Sequence, residues 1–252
     1  MPQAAADLEQ NALIRVLLLG YPKVGKSRST IASLSTTFGL GYVLCCGDKQ
    51  SIAPATRVTK KFVFDVIKDE TDMEAALKEA RRGVKEAGYK WVFIDDFSLY
   101  ASWLEGALRD ASAAQNKSGK PDGRKWSPEF KQRLVNTVRR AFDLKAHVVV
   151  ASHYIEQGGE IEDADTGNKQ RAKSGHGIMP MIYGSAREEL PAIFQDVLFM
   201  EKEKDRRVFQ VNPAGVWGPG CRSTDETVTI DADFGEFWKL VNTTQSQKGK
   251  SK

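Results

Sequence analysis

Cysteine is scarce: Cys45, Cys46 and Cys221 are the whole set, two adjacent and one remote. That excludes an even-numbered disulfide framework and any paired zinc-ligand spacing, and it fits reduced thiols in a cytoplasmic protein. Long apolar runs are absent too. The longest, Val16 to Leu19 with its flanks, is far too short to cross a bilayer, so no membrane partner is expected. Met1 to Asn11 lacks a basic segment leading into an apolar stretch, so no signal peptide is expected, and 1–12 is read as a flexible N-terminus. No internal repeat is present, and neither charge sign dominates. Lys and Arg number 37 against 33 Asp and Glu, a net charge of +4 that permits polyanion binding without demanding it.

What is there is an ordinary globular composition, 41% hydrophobic and 28% charged over 252 residues, enough for a core without metal or disulfide staples. Apolar runs alternate with helical patterns, which predicts an α/β fold with a mostly parallel sheet flanked by crossover helices. The expected strands are Leu13–Leu19, Gly41–Cys46, Phe62–Val66, Trp91–Ile94 and His147–Ala151. The expected helices are Lys26–Phe38, Met73–Ala87 capped by Thr71 or Asp72, Ser98–Ala111 and Glu129–Leu144. Polar composition reads Ser112–Ser127 as a loop and Glu156–Gly177 as a long mobile one. A C-terminal β-hairpin is expected from Val197–Glu201 and Val208–Asn212. The domain would span 13–240, with 241–252 as a disordered basic tail.

Gly20-Tyr21-Pro22-Lys23-Val24-Gly25-Lys26-Ser27 matches G-x-x-x-x-G-K-[ST] in full, between a strand and a helix, and Arg28 follows it. Each fixed position has a chemical reason. Glycines let backbone N–H groups wrap a phosphate closely. The helix that follows points its N-terminus at the anion. Lys26 reaches the β and γ phosphates, and the Ser27 hydroxyl completes a Mg²⁺ shell. The ligand predicted is a nucleoside triphosphate with Mg²⁺.

Trp91-Val-Phe-Ile-Asp95-Asp96 is an apolar run that ends in two carboxylates. Such a strand is expected beside the first one, with its terminal Asp holding the metal shell. Asp95 directly follows the apolar run and is the metal candidate; Asp96 is placed to cap the helix near Ser98.

Gly20–Ser27 with Ile94-Asp95 resembles the RecA-like ATPases, and more narrowly phage recombination and annealing proteins of the Sak type, over about Leu13 to Val228. The resemblance implies ATP as the nucleotide and further roles at matching positions. Asp48, in Gly47-Asp48-Lys49 after the second strand, corresponds to the water-activating acid, although many members carry the longer Glu. His153, after Val148-Val-Val-Ala-Ser152, corresponds to the γ-phosphate sensor. Arg222 corresponds to the arginine of a late Lys-x-Arg pair that reaches a neighbouring subunit's ATP. Here Gly220 replaces the lysine, and Arg206 and Arg207 on the hairpin are alternatives.

RecA-like recombinases also turn two loops toward DNA. Ser112–Ser127 offers Lys117, Lys120, Arg124, Lys125 and Trp126, cations with an aromatic ring suited to a single strand. Gln157–Gly177 offers Lys169, Arg171, Lys173 and His176, mixed with Glu160, Glu162, Asp163 and Asp165. The resemblance thus implies a single-stranded-DNA-dependent ATPase of phage recombination, annealing or replication, working in the bacterial cytoplasm. Expected partners are further copies of itself in a ring or filament and a single-strand-binding protein. Two other readings stand beside it. The short Asp48 and the missing lysine suit a nucleotide-gated assembly switch with slow hydrolysis. A P-loop small-molecule kinase is less suited, because Gln157–Gly177 holds one Arg where such kinases close an Arg-rich lid.

Overall fold

The apolar runs become strands and the periodic segments become helices. The computed structural model describes residues 13–157, 160–162, 169–171, 177–212 and 220–248. Strand β1 (Arg15–Gly20) leads into α1 (Lys26–Phe38), followed by β2 (Gly41–Cys46), the short α2 (Ala53–Thr56), β3 (Phe62–Ile67) and α3 (Glu70–Glu86). Then come β4 (Trp91–Asp95), α4 (Phe97–Gln115), α5 (Gly123–Phe142) and β5 (His147–Ser152). Four short strands follow: β6 (Tyr154–Gln157), β7 (Glu160–Glu162), β8 (Lys169–Arg171) and β9 (Gly177–Pro180). The chain closes with α6 (Ala186–Ile193), β10 (Asp196–Glu203), β11 (Arg206–Val211), β12 (Gly220–Cys221), β13 (Val228–Asp231) and α7 (Phe234–Lys248).

The main sheet runs β13-β11-β10-β1-β5-β4-β2-β3, with β12 paired to β10. From β10 to β3 every pairing is parallel; β11, β12 and β13 add antiparallel pairing at one side. The central parallel strands β1, β2, β4 and β5 are apolar on both faces because helices cover both. Leu17, Leu44, Ile94 and Val150 face α3 to α6 in one core, while Val16, Val43, Phe93 and Val149 face α1 and α7 in the other.

Local chemistry explains the helix ends. The Asp69 side chain accepts from Asp72 N at 2.8 Å and caps α3, so this helix begins earlier than the Thr71 or Asp72 cap expected. It ends where Gly88 turns to φ 74°, a left-handed conformation that costs glycine little. In α5, Trp126, Phe130, Leu134 and Val138 recur at helical spacing and are buried, each contributing about 2 kcal/mol.

Four expectations need correction. The acidic strand β4 does not lie beside β1. Strand β5 stands between them, pairing Val149 with Val16 and Val148 with Val92. All three strands are apolar on both faces, so no pattern in them specifies order; the crossover through α4 and α5 does. The polar stretch Ser112–Ser127 is mostly helix, leaving only 116–122 between α4 and α5. Within Glu156–Gly177, described residues pair as strands: β6 with β9, and β7 with β8. Finally, α7 continues to Lys248, so the helix takes most of the stretch expected as a disordered tail.

Candidate nucleotide site

The parallel strands β1, β4 and β5 end at the same edge of the sheet, where ligands bind in open α/β folds. Gly20 closes β1 because β10 presses on it: a Cβ there would lie 2.7 Å from Met200 O. The loop then turns, with Val24 N donating to Tyr21 O at 3.4 Å. Gly25 adopts φ 100° and starts α1 without a side-chain cap. Uncapped N–H groups at a helix start suit an anion.

Lys26 is buried and folds back over the loop. Its Nζ donates to Gly20 O at 2.8 Å and Tyr21 O at 3.0 Å, and it lies 3.1 Å from His153 Nδ1. Burial lowers the Lys26 pKa, with Asp96 and Asp95 opposing that shift. Lysine has donors only, so Nδ1 of His153 accepts and Nε2–H faces Asp96 Oδ2, 2.6 Å away.

Asp95 is 3% exposed, and its Oδ2 has no hydrogen-bond partner. Burial pushes its pKa up to about 6, while a hydrogen bond from Ser27 pulls the other way. A buried carboxylate oxygen without a partner, next to a Ser hydroxyl, is a hard-oxygen donor set that fits Mg²⁺. Among the described residues no cluster of three or more His, Cys, Asp or Glu side chains could hold a metal.

Asp96 does other work. Its Oδ1 accepts from Ser98 N at 3.0 Å and from the Ser98 hydroxyl, capping α4. Burial opposes its ionised form, yet hydrogen bonds from His153 and Ser98 hold its carboxyl below the ordinary value. The Ser98 hydroxyl also accepts from His153 N at 3.2 Å, so it ties β5's exit to α4. Nothing in the sequence marked Ser98, since its role depends on β4 and β5 lying side by side.

Lys26, Ser27, Asp95, Asp96 and His153 line a cavity of about 500 Å³ that also reaches Lys23, Arg28, Asp48 and Arg207. Asp48 is exposed, and its carboxylate accepts from Gln50 N at 2.9 Å, capping a short 3₁₀ turn. Tyr21 stacks edge-on against Tyr154, with ring centroids 4.6 Å apart. Arg207 comes from the C-terminal hairpin, its Nε donating to Val24 O at 2.5 Å. Arg222 is absent from this cavity; its Nη2 donates to Ala192 O at 2.8 Å beside β12.

The expected DNA-facing residues divide. Lys117, Lys120, Arg124 and Lys125 are exposed. Trp126 is not available for base stacking: it is 5% exposed, 5.0 Å from the Tyr183 ring and under the Arg109 guanidinium. The helix that begins at Gly123 turns it inward, because its spacing to Phe130 and Leu134 puts it on the apolar face. Lys169 and Arg171 lie on β8. Lys173 and His176 lie outside the described residues.

A phosphate loop on β1, an acidic strand one position removed and a polar residue ending the strand between them define a P-loop nucleoside triphosphatase fold. Residues 12–232 match the family described as AAA domain, and the chain belongs to that family. No curated protein matches the sequence. Among solved structures, one similar chain is described as a prototypical ATPase from the type III secretion system of pathogenic bacteria. It shares 13% identity at a TM-score of 0.45 over 75% of this chain. The match spans 53% of that chain, about half its length.

Proposed function

We propose that the chain hydrolyses ATP with Mg²⁺ and that single-stranded DNA stimulates it, as part of recombination, annealing or replication. The observation that carries the ATPase reading is the convergence of Lys26, Ser27, Asp95 and His153 on one cavity. Lys26 would bind the β and γ phosphates, with Ser27 and Asp95 holding Mg²⁺. The ion would supply charge neutralisation on the phosphate oxygens. Asp48, on the cavity wall, would orient the attacking water, and His153 would report the terminal phosphate to α4 through Asp96 and Ser98. ADP and phosphate leave, and the water's proton passes to solvent or to Asp48.

Support for nucleic acid is electrostatic. Lys117, Lys120, Arg124 and Lys125 are exposed around one interhelical turn, and a single strand laid along them would release counterions. With Trp126 buried, this contact supplies phosphate neutralisation without stacking, so affinity should fall steeply with salt. Assembly into a ring or filament would let copies share the strand.

A second reading, a nucleotide-gated switch with slow turnover, is favoured by one observation. The Asp48 carboxylate is engaged with Gln50 N, which competes with orienting a water.

Steady-state ATP hydrolysis with and without single-stranded DNA, beside Lys26→Ala, decides between them. Stimulated turnover that Lys26→Ala abolishes supports the first reading. Tight ATP binding with slow, unstimulated turnover supports the switch, and no ATP binding removes both.

A further inference from the structure

Arg207 is the second residue of strand β11, paired with Lys202 across the hairpin. Its neighbour Arg206 faces Glu203 and Asp231, each at 3.4 Å. Arg207 points the other way, as strand alternation requires. Among the described residues it has no carboxylate within ion-pair distance. Its guanidinium instead lies on the phosphate loop. Nε donates to Val24 O at 2.5 Å, and a Cβ built on Gly25 would lie 2.3 Å from that same Nε. The side chain thus fills the space that a glycine before Lys26 leaves open. Arg207 lines the cavity shared with Lys26, Ser27 and Asp95.

A guanidinium without a carboxylate, held at an anion-binding loop, is suited to charge on a transferring phosphoryl group. We propose that Arg207 is this chain's own phosphate-binding arginine, contacting the terminal phosphate of the nucleotide bound at Gly20–Ser27. The charge complement of the site is then completed within one chain, without an arginine from a neighbour. The hairpin β10–β11 is also tied to the nucleotide state, since the bond to Val24 O couples it to the loop. This inference rests on the ATPase reading above.

The test uses the full chain with Arg207→Ala, Arg207→Gln and Arg207→Lys, each checked for folding by thermal denaturation. Calorimetry with Mg²⁺ measures affinity for ATP and for ADP, and turnover is measured alongside. The expected result is a kcat loss on the order of 10²–10³-fold in Arg207→Ala and Arg207→Gln, partly restored by added guanidinium. ATP affinity should fall while ADP affinity stays within about threefold, since ADP lacks the phosphate concerned. Arg207→Gln retains a donor for Val24 O, so it isolates the charge if Arg207→Ala does not fold. Equal losses of ATP and ADP affinity would make Arg207 a prop for the loop and overturn the proposal. Mixing Arg207→Ala with Lys26→Ala protein should recover no activity; recovery would mean that the arginine acts on a neighbouring copy, overturning the in-chain assignment. A wild-type chain that does not turn over ATP would sink the ATPase reading itself. An active wild type with equally active Arg207 variants would sink only this inference.

Discussion

Lys26 Nζ lies 3.1 Å from His153 Nδ1, while the other face of the same imidazole meets Asp96 2.6 Å away. The phosphate-loop lysine is therefore joined to the end of β5 and the start of α4 by one side chain. His153→Ala should cut ATP turnover by about 10²-fold with a smaller change in ATP affinity, because the contact matters most when charge moves on the phosphate. Single-turnover hydrolysis beside equilibrium binding of ATP checks this. An unchanged kcat would remove His153 from the chemistry.

Asp95 sets the proposed metal contact against stability. Its buried Oδ2 has no hydrogen-bond partner and burial raises its pKa to about 6. Asp95→Asn removes a charge that the fold holds at a cost, so its metal-free melting temperature at neutral pH should exceed the wild type's. Mg²⁺-dependent turnover should fall by about 10²-fold or more. Calorimetric melting and a Mg²⁺ titration of activity test the two halves separately.

His147 sets an acid limit on stability. It starts β5, stacks on Phe38 at 3.9 Å, and its Nδ1 accepts from Ile14 N at 3.2 Å. Burial lowers its pKa to about 4, from 6.5. The unfolded chain therefore binds a proton between these values while the folded chain does not, so stability is present above about pH 6.5 and lost as pH falls toward 4. The contribution is at most about 3 kcal/mol. Urea denaturation from pH 7 to 4 should show a slope that His147→Gln flattens.

Trp126→Ala should cost about 3–5 kcal/mol of folding stability, the usual range for emptying a buried aromatic site. Variants at the exposed cations behave differently. Lys120→Ala with Arg124→Ala should leave stability unchanged and reduce the salt dependence of single-strand binding. Urea denaturation and filter binding at several salt concentrations separate these effects. Loss of DNA affinity in a fully folded Trp126→Ala protein would contradict the packing role.

Much of this molecule can be read from its residues in order. Gly20–Ser27 lies between a strand and a helix because phosphate chemistry demands glycines, a lysine and a hydroxyl at one local spacing. The bounds of α1 and β2 follow from periodicity and agree with the expected Lys26–Phe38 and Gly41–Cys46. Asp95 stands out as a carboxylate ending an apolar run. These are short-range features, carried by neighbours along the chain.

What depended on tertiary structure is long-range. Strand order follows crossover packing, so no pattern in β4 showed that β5 would separate it from β1. Trp126 stands in a polar stretch of sequence, and its apolar partners, Phe130 and Tyr183, lie at helical and distant spacings. Arg207, 183 residues from Val24, meets the phosphate loop only after β10 pairs with β1 and the hairpin folds back. Loop motif and fold class are legible in the order of residues, because both reside in local composition and period. Only the packed sheet decided which charged side chains share the cavity, because distant segments meet only once apolar strand faces are buried.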